Sequence, residues 1–156
     1  MDFLKEIEDV FDKLSGRQLA EFYTKKIDDF LIEIFNSVES QNPLALIATG
    51  GYGRSELAPF SDIDIMFFAK DRTDSKKVES VLYKLWDSGL NISHCFRTPE
   101  DCISEAKKDL RTHTALLEAR FVAGDKVLYN YFHEKVYADI AYRKQKYFIS
   151  GKLKET

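Results

Sequence analysis

The sequence predicts an α/β domain of the α+β type, a small mixed β-sheet flanked by helices with a C-terminal helical segment. Three observations predict it. Helical spacing of apolar residues fills residues 2–38, short apolar runs replace it at 44–49, 63–68 and 90–97, and helix signals return after residue 98. The 156 residues fit one compact domain with a core large enough to need no staple. Within it the reading is N-terminal helices at 1–40, a central α/β core at 41–100 and a helical segment at 101–156.

Each element has a local reason. Phe3, Leu4, Ile7, Val10, Phe11 and Leu14 recur at helical spacing behind Asp2, a helix cap. Ser15-Gly16 interrupts the pattern, and Leu19, Phe22, Ile27, Phe30, Leu31, Ile34 and Phe35 resume it over 18–38. Gln41-Asn42-Pro43 is a loop. The run Leu44 to Thr49, stopped by Gly50-Gly51, reads as a buried strand, and Tyr52 to Leu57 starts a short helix. Ile63 to Phe68 is a second apolar strand, broken only by Asp64. Ser75 caps a helix whose Val78, Val81, Leu82 and Leu85 share one face with Trp86 near the core, and Gly89 ends it. Leu90 to Arg97 is a third strand. Thr98-Pro99-Glu100-Asp101 opens a helix, with Thr98 as cap and Asp101 completing a capping-box pair. Cys102 to about Tyr147 reads as two or three helices, broken near Gly124-Asp125.

Composition narrows the partners. The net charge is −3, against the basic excess of a general nucleic-acid binder, so no long nucleic acid is expected. Two cysteines, Cys95 and Cys102, match no metal-binding spacing and fit a reducing cytoplasm. The acidic, amphipathic start is not a signal peptide, and no apolar run reaches the ~20 residues of a membrane span.

The chemistry lies in Ala48 to Met66. Two glycines after a strand let the backbone turn sharply and approach a ligand. A helix starting there offers free N–H groups to a phosphate, and Arg54 adds a charged fork beside Gly50 and Gly51. Ser61 closes the loop before the acidic pair. Ten residues separate Gly51 from Asp62 and return the chain to a neighbouring strand. Residues i and i+2 of a strand share a face, so Asp62 and Asp64 project together while Ile63 and Ile65 enter the core. Two adjacent carboxylates near phosphates suit Mg²⁺ or Mn²⁺. Either half alone is commonplace, a turn or a solvated pair. Their order, and a charge inside an apolar strand, point to a nucleotide and metal site.

The stretch Gly50-Gly51-Tyr52-Gly53-Arg54-Ser55-Glu56-Leu57-Ala58-Pro59-Phe60-Ser61-Asp62-Ile63-Asp64 resembles the signature of the DNA polymerase beta-like nucleotidyltransferase superfamily. More narrowly it is similar to the N-terminal domain of bacterial PII uridylyltransferase/uridylyl-removing enzymes. Leu85 to Leu90, His94 to Thr98 and Asp109 to Asp125 extend the likeness, which covers about residues 44–128. The resemblance implies the polymerase beta-like fold and transfer of UMP from UTP to a tyrosine of the PII nitrogen-signalling protein with Mg²⁺ or Mn²⁺. It implies Asp62 and Asp64 as catalytic metal ligands, and Gly50, Gly51 and Arg54 as triphosphate contacts, with Ser61 beside them. Those enzymes are several times longer, so the chain reads as an excised domain or a standalone relative.

The superfamily often adds a third carboxylate on a later strand, and Leu90 to Arg97 has none. His94 is then a candidate general base, or a hydrogen-bonded structural histidine. Arg97, Asp109 and Arg120 are further candidates. Asp109, Arg111, Thr114, Glu118 and Arg120 lie on a predicted helix that lines the nucleotide pocket or carries an exposed ion-pair face. The missing acid motivates one alternative, a nucleotide-binding regulatory module without transfer; transfer to a different protein or a small molecule, and a structural or toxin–antitoxin interaction protein that needs no metal, are the others.

Overall fold

The computed structural model describes residues 5, 15–59, 61–72 and 75–149, with side chains of 144–149 left aside. The helix expected over residues 2–14 lies outside the described residues. In chain order the elements are α1 (Gly16–Asn36), β1 (Ala45–Ala48), α2 (Gly50–Gly53), β2 (Ile63–Phe68), α3 (Ser75–Asp87), β3 (Ile92–Arg97), α4 (Pro99–Lys108), α5 (Leu110–Leu117), β4 (Arg120–Gly124), α6 (Lys126–Tyr131), a π-helical turn (Phe132–Tyr137) and α7 (Ala138–Ile149). The strands form one sheet in the order β3-β2-β1-β4. β1 runs antiparallel to both β2 and β4, and β2 runs parallel to β3, so the sheet is mixed as expected.

Alternation along the strands divides the core. Ile63, Ile65 and Phe67 face α1 and α3, where Ile27, Leu31, Phe35, Val81 and Leu85 are buried. Met66 and Phe68 face the other way, against Cys102, Leu116, Phe132 and Val136. Asp64 shares that second face by the same alternation. The capping signals are realised. Ser15 and Gln18 form a reciprocal box, so α1 begins at Gly16, earlier than the apolar period alone indicated. Thr98 and Asp101 form the other box, with Pro99 in the first turn. Ser75 is already helical, and the cap position before it falls outside the described residues.

Three expectations are corrected. The short helix starts at Gly50 and stops at Gly53, because Ser55 takes φ 59° and breaks it before Leu57. The region after Cys102 is not helical throughout: Arg120–Gly124 is a fourth strand that pairs with β1 across a register shift between Leu46 and Ile47. The candidate Arg120 therefore sits on a strand. Trp86 is not core either; it is 49% exposed, with its ring against His94.

Close packing around α2 makes one glycine obligatory. A Cβ on Gly53 would lie 2.1 Å from the Glu118 carbonyl oxygen and 3.0 Å from that of Ala48. Both are backbone atoms, which cannot swing aside as a side chain does. Gly53→Ala is expected to destabilise the domain by about 1–3 kcal/mol in urea unfolding, as overpacking typically does. Gly16→Ala, with open space around its Cβ, is expected to be neutral or stabilising in the same titration.

Candidate active site

β1 ends at the turn that starts α2, and β2 lies beside it, so the turn and the acidic pair meet at one end of the sheet. Gly50 takes φ 59°, and a Cβ there would lie 2.8 Å from Asp64 Oδ2. The backbone thus rests on the carboxylate, a contact that a side chain would fill. Thr49 N–H donates to the Asp64 carbonyl at 3.1 Å and fixes the two strands at this point. Asp62 precedes β2 and is exposed, while Asp64 is half-buried in it. Both line a cleft of about 440 Å³, walled by Ser93, Cys95 and Arg97 of β3 and by Arg111, Thr112 and Ala115 of α5.

β3 supplies partners that sequence reading missed. Parallel pairing sets Asp64 against Ser93, whose side chain hydrogen-bonds the carboxylate. Asn91 Nδ2 donates to Asp62 Oδ1 at 2.8 Å from the turn before β3. Neither residue carries a motif; only the strand register marks them. Burial, and then the charge of Asp62, push the Asp64 carboxyl above its ordinary range, while the Ser93 hydrogen bond and the Arg111 charge pull it back.

These features fit a hard divalent cation. Two carboxylates repel each other at the mouth of a polar cleft, and one is partly stripped of water, a balance that a cation reverses. No group of three or more His, Cys, Asp or Glu side chains able to hold a metal occurs among the described residues. Asp62 and Asp64 are the acidic pair of the cleft, and the β3 residue paired with Asp64 is Ser93.

The other candidates divide between the site and its surroundings. Arg54 is exposed, with its Nη2 3.6 Å from where a Cβ on Gly51 would be, its Nε donating to Glu56 at 3.0 Å and its Nη1 to Glu118. Ser61 donates its hydroxyl to the Ala58 carbonyl at 2.6 Å, closing the loop. His94 borders the cleft, but alternation along β3 turns it toward α3, where its ring centroid lies 5.8 Å from that of Trp86. Asp109 caps α5, accepting from Arg111 N–H and the Thr112 hydroxyl. Arg120 lies outside the cleft wall; it donates two bonds to Asp28 and one to the Tyr52 carbonyl. Arg97 and Arg111 remain as the guanidinium groups of the cleft.

A mixed sheet with a glycine turn against an acidic pair defines a nucleotidyltransferase-type domain. The chain belongs to the nucleotidyltransferase domain family, whose model matches residues 31–147. It is similar to bifunctional uridylyltransferase/uridylyl-removing enzymes. The one from Erythrobacter litoralis is 36% identical over 154 residues, 90% of this chain and 17% of that enzyme. Those from Novosphingobium aromaticivorans and Azospirillum brasilense are 40% and 39% identical over 72% and 70% of this chain, and 13% and 12% of theirs. The chain thus spans less than a fifth of these relatives, 17% at most among the three. A solved toxin–antitoxin structure with AMP-PNP shares the fold, with TM-score 0.51 and 14% identity over 80% of this chain and 95% of that one. No described helix is long and apolar enough to cross a membrane.

The raised Asp64 pKa gives a signed expectation for the metal-free protein. The folded state disfavours the charged carboxylate, so its cost is full above the folded pKa and is relieved as pH falls through it. Asp64→Asn is expected to raise the Tm at neutral pH without metal. That gain should shrink as pH falls through the carboxylate range, measured by thermal melts across pH in chelator.

Proposed function

We propose that this domain transfers UMP from UTP to a tyrosine hydroxyl of a PII-type nitrogen-signalling protein, with Mg²⁺ or Mn²⁺ held at Asp62 and Asp64. The observation that carries the reading is the packing of the Gly50 turn on Asp64 at the mouth of the cleft. It sets backbone able to approach phosphate beside carboxylates able to hold a cation. The uridylyl specificity is supported by the relatives' names, and the tyrosine acceptor by the motif resemblance.

In this reading the acceptor oxygen attacks the α-phosphorus, the α–β phosphoanhydride bond breaks, and pyrophosphate leaves in line. The acceptor proton passes to solvent or to a carboxylate of the cleft. A bound cation would supply charge to neutralise the phosphates and the leaving group. The chain's own residues orient: Asn91 and Ser93 hold the two carboxylates, and Gly50 and Gly51 keep the approach to them free of side chains. Catalysis is then mostly positioning and electrostatic preorganisation.

A second reading, a regulatory module that binds nucleotide without transfer, is favoured by a β3 (Ile92–Arg97) that carries no carboxylate, with Ser93 paired to Asp64. Pyrophosphate release from each of the four NTPs, with Mg²⁺ or Mn²⁺ and with or without PII protein, separates the two. PII-dependent release from UTP is expected, falling by at least about 10²-fold in Asp64→Ala, the scale for losing a preorganised electrostatic group. Nucleotide binding with no release from any NTP would favour the regulatory module instead.

A further inference from the structure

We infer that the protein acceptor docks along the outer edge of β3, its tyrosine-bearing segment joining the sheet as a further strand whose apolar neighbours rest on Trp86 and Tyr83; this rests on the transfer reading of the site. The direction of attack selects this edge. In an in-line displacement the acceptor enters opposite the leaving group. On that reading the departing pyrophosphate lies at the glycine turn, which follows β1, while Asp64 lies on β2. Thr49 N–H donates to the Asp64 carbonyl, and Asp64 pairs with Ser93, so turn, carboxylate and β3 stand in one row across the sheet. The side opposite the turn is the β3 edge.

That edge suits an extended partner. Among the described residues no strand pairs with the outer side of β3, and Ser93 and His94 are exposed. The Asn91 carbonyl accepts from Ile63 N–H and the Arg97 carbonyl from Ala69 N–H, so these alternate positions bond inward. Ile92, His94 and Phe96 then turn their N–H and C=O groups outward, a ladder ready for an incoming strand. Ile92–Arg97 holds neither the proline nor the lysine that commonly blunts such an edge. Side chains of an added strand alternate between two faces. One face is that of the cleft, where Ser93 is a small residue between the edge and Asp64. An added strand would stand two strand spacings from β2, roughly 10 Å, a gap divided between a tyrosine side chain and the α-phosphoryl group. The other face carries Trp86 and Tyr83, 49% and 66% exposed, with ring centroids 5.7 Å apart. His94 joins them from β3, its ring 5.8 Å from that of Trp86. Residues on either side of the acceptor tyrosine meet this patch. Large exposed aromatics are the side chains that most often anchor a protein partner. The partner's chemistry is thus a tyrosine in an extended segment, flanked by apolar side chains.

Trp86 is the single tryptophan of the chain, so 5-fluorotryptophan labelling places one ¹⁹F resonance inside the patch. Titration of the labelled 156-residue chain with PII protein reads docking directly. PII-dependent pyrophosphate release from UTP reads transfer in wild type, Trp86→Ala and Tyr83→Ala, with thermal melts to confirm folding. The expected result is a saturable shift of the Trp86 resonance. The KM for PII should rise by about 10-fold or more in both variants, the scale of an anchoring residue, with kcat and the KM for UTP held within about 2-fold. PII-dependent release with an unmoved resonance and an unchanged KM in the folded variants would overturn the docking surface and leave transfer standing. A resonance that moves as the chain alone is concentrated, and not with PII, would assign the edge to a second copy and overturn the inference too. A saturable shift with no release from UTP would keep the docking surface and overturn transfer. Neither shift nor release would overturn both.

Discussion

The cleft depends on a knot of three side chains beneath the glycine turn. Tyr52 is fully buried, and its hydroxyl donates to Asp28 of α1 at 2.5 Å. Arg120 of β4 donates to both Asp28 oxygens and to the Tyr52 carbonyl, with its guanidinium 5.1 Å from the Tyr52 ring centroid. One cluster thus binds α1, α2 and β4, elements drawn from three distant parts of the chain. The turn has no long helix to steady it, since α2 is a single turn. Burial, and then the Asp28 charge, push the Tyr52 hydroxyl far above its ordinary pKa, so it stays a donor throughout the working pH range. Breaking a buried ion pair one-sidedly costs about 3–5 kcal/mol, and less where the pair keeps some water access, as Arg120 and Asp28 do. The knot's larger consequence is positional, because Gly50 can press on Asp64 only while Tyr52 is anchored below.

This explains what the sequence made legible. The glycine turn and the acidic pair lie within fifteen residues, Gly50 to Asp64, and a local pattern carried them. The strands β1 and β2 stood out because both faces are buried, leaving nearly unbroken apolar runs. β4 did not stand out. It is five residues long, starts with Arg120, and owes its strand conformation to β1, about 75 positions earlier in the chain. Helical surroundings on either side overrode the brief Phe121-Val122-Ala123 signal. With β4 unseen, Arg120 reads as part of a helix that lines the pocket or carries an exposed ion-pair face, whereas its partners are Asp28 and Tyr52.

The candidate site divides along the same line. Asp62 and Asp64 could be paired from spacing alone, because strand alternation is a local rule. Asn91 and Ser93, which hydrogen-bond them, could not, since the β2–β3 register decides which residues of β3 face them. The register also separates His94 from the pair: one step along a strand changes the face, and His94 is one step from Ser93. Arg54 stays beside the turn in the fold as in the sequence: its Nη2 lies 3.6 Å from where a Cβ on Gly51 would be, while its Nη1 donates to Glu118.

The composition of the cleft bears on which acceptor it suits. Ser93 occupies the position facing Asp64, so the carboxylates of the cleft wall are Asp62 and Asp64 themselves. If both hold a cation, neither is free to accept a proton with full basicity. His94, the nearest imidazole on β3, is turned toward Trp86. A cleft poor in free base favours an acceptor whose hydroxyl is already acidic. A tyrosine phenol, with an ordinary pKa near 10, gives up its proton far more readily than an aliphatic hydroxyl. Among hydroxyl acceptors on a protein, the phenol therefore asks least of this arrangement. The absence of a third acid among the described residues of the cleft wall, which on its own favours a silent binding module, is thus equally consistent with transfer to tyrosine.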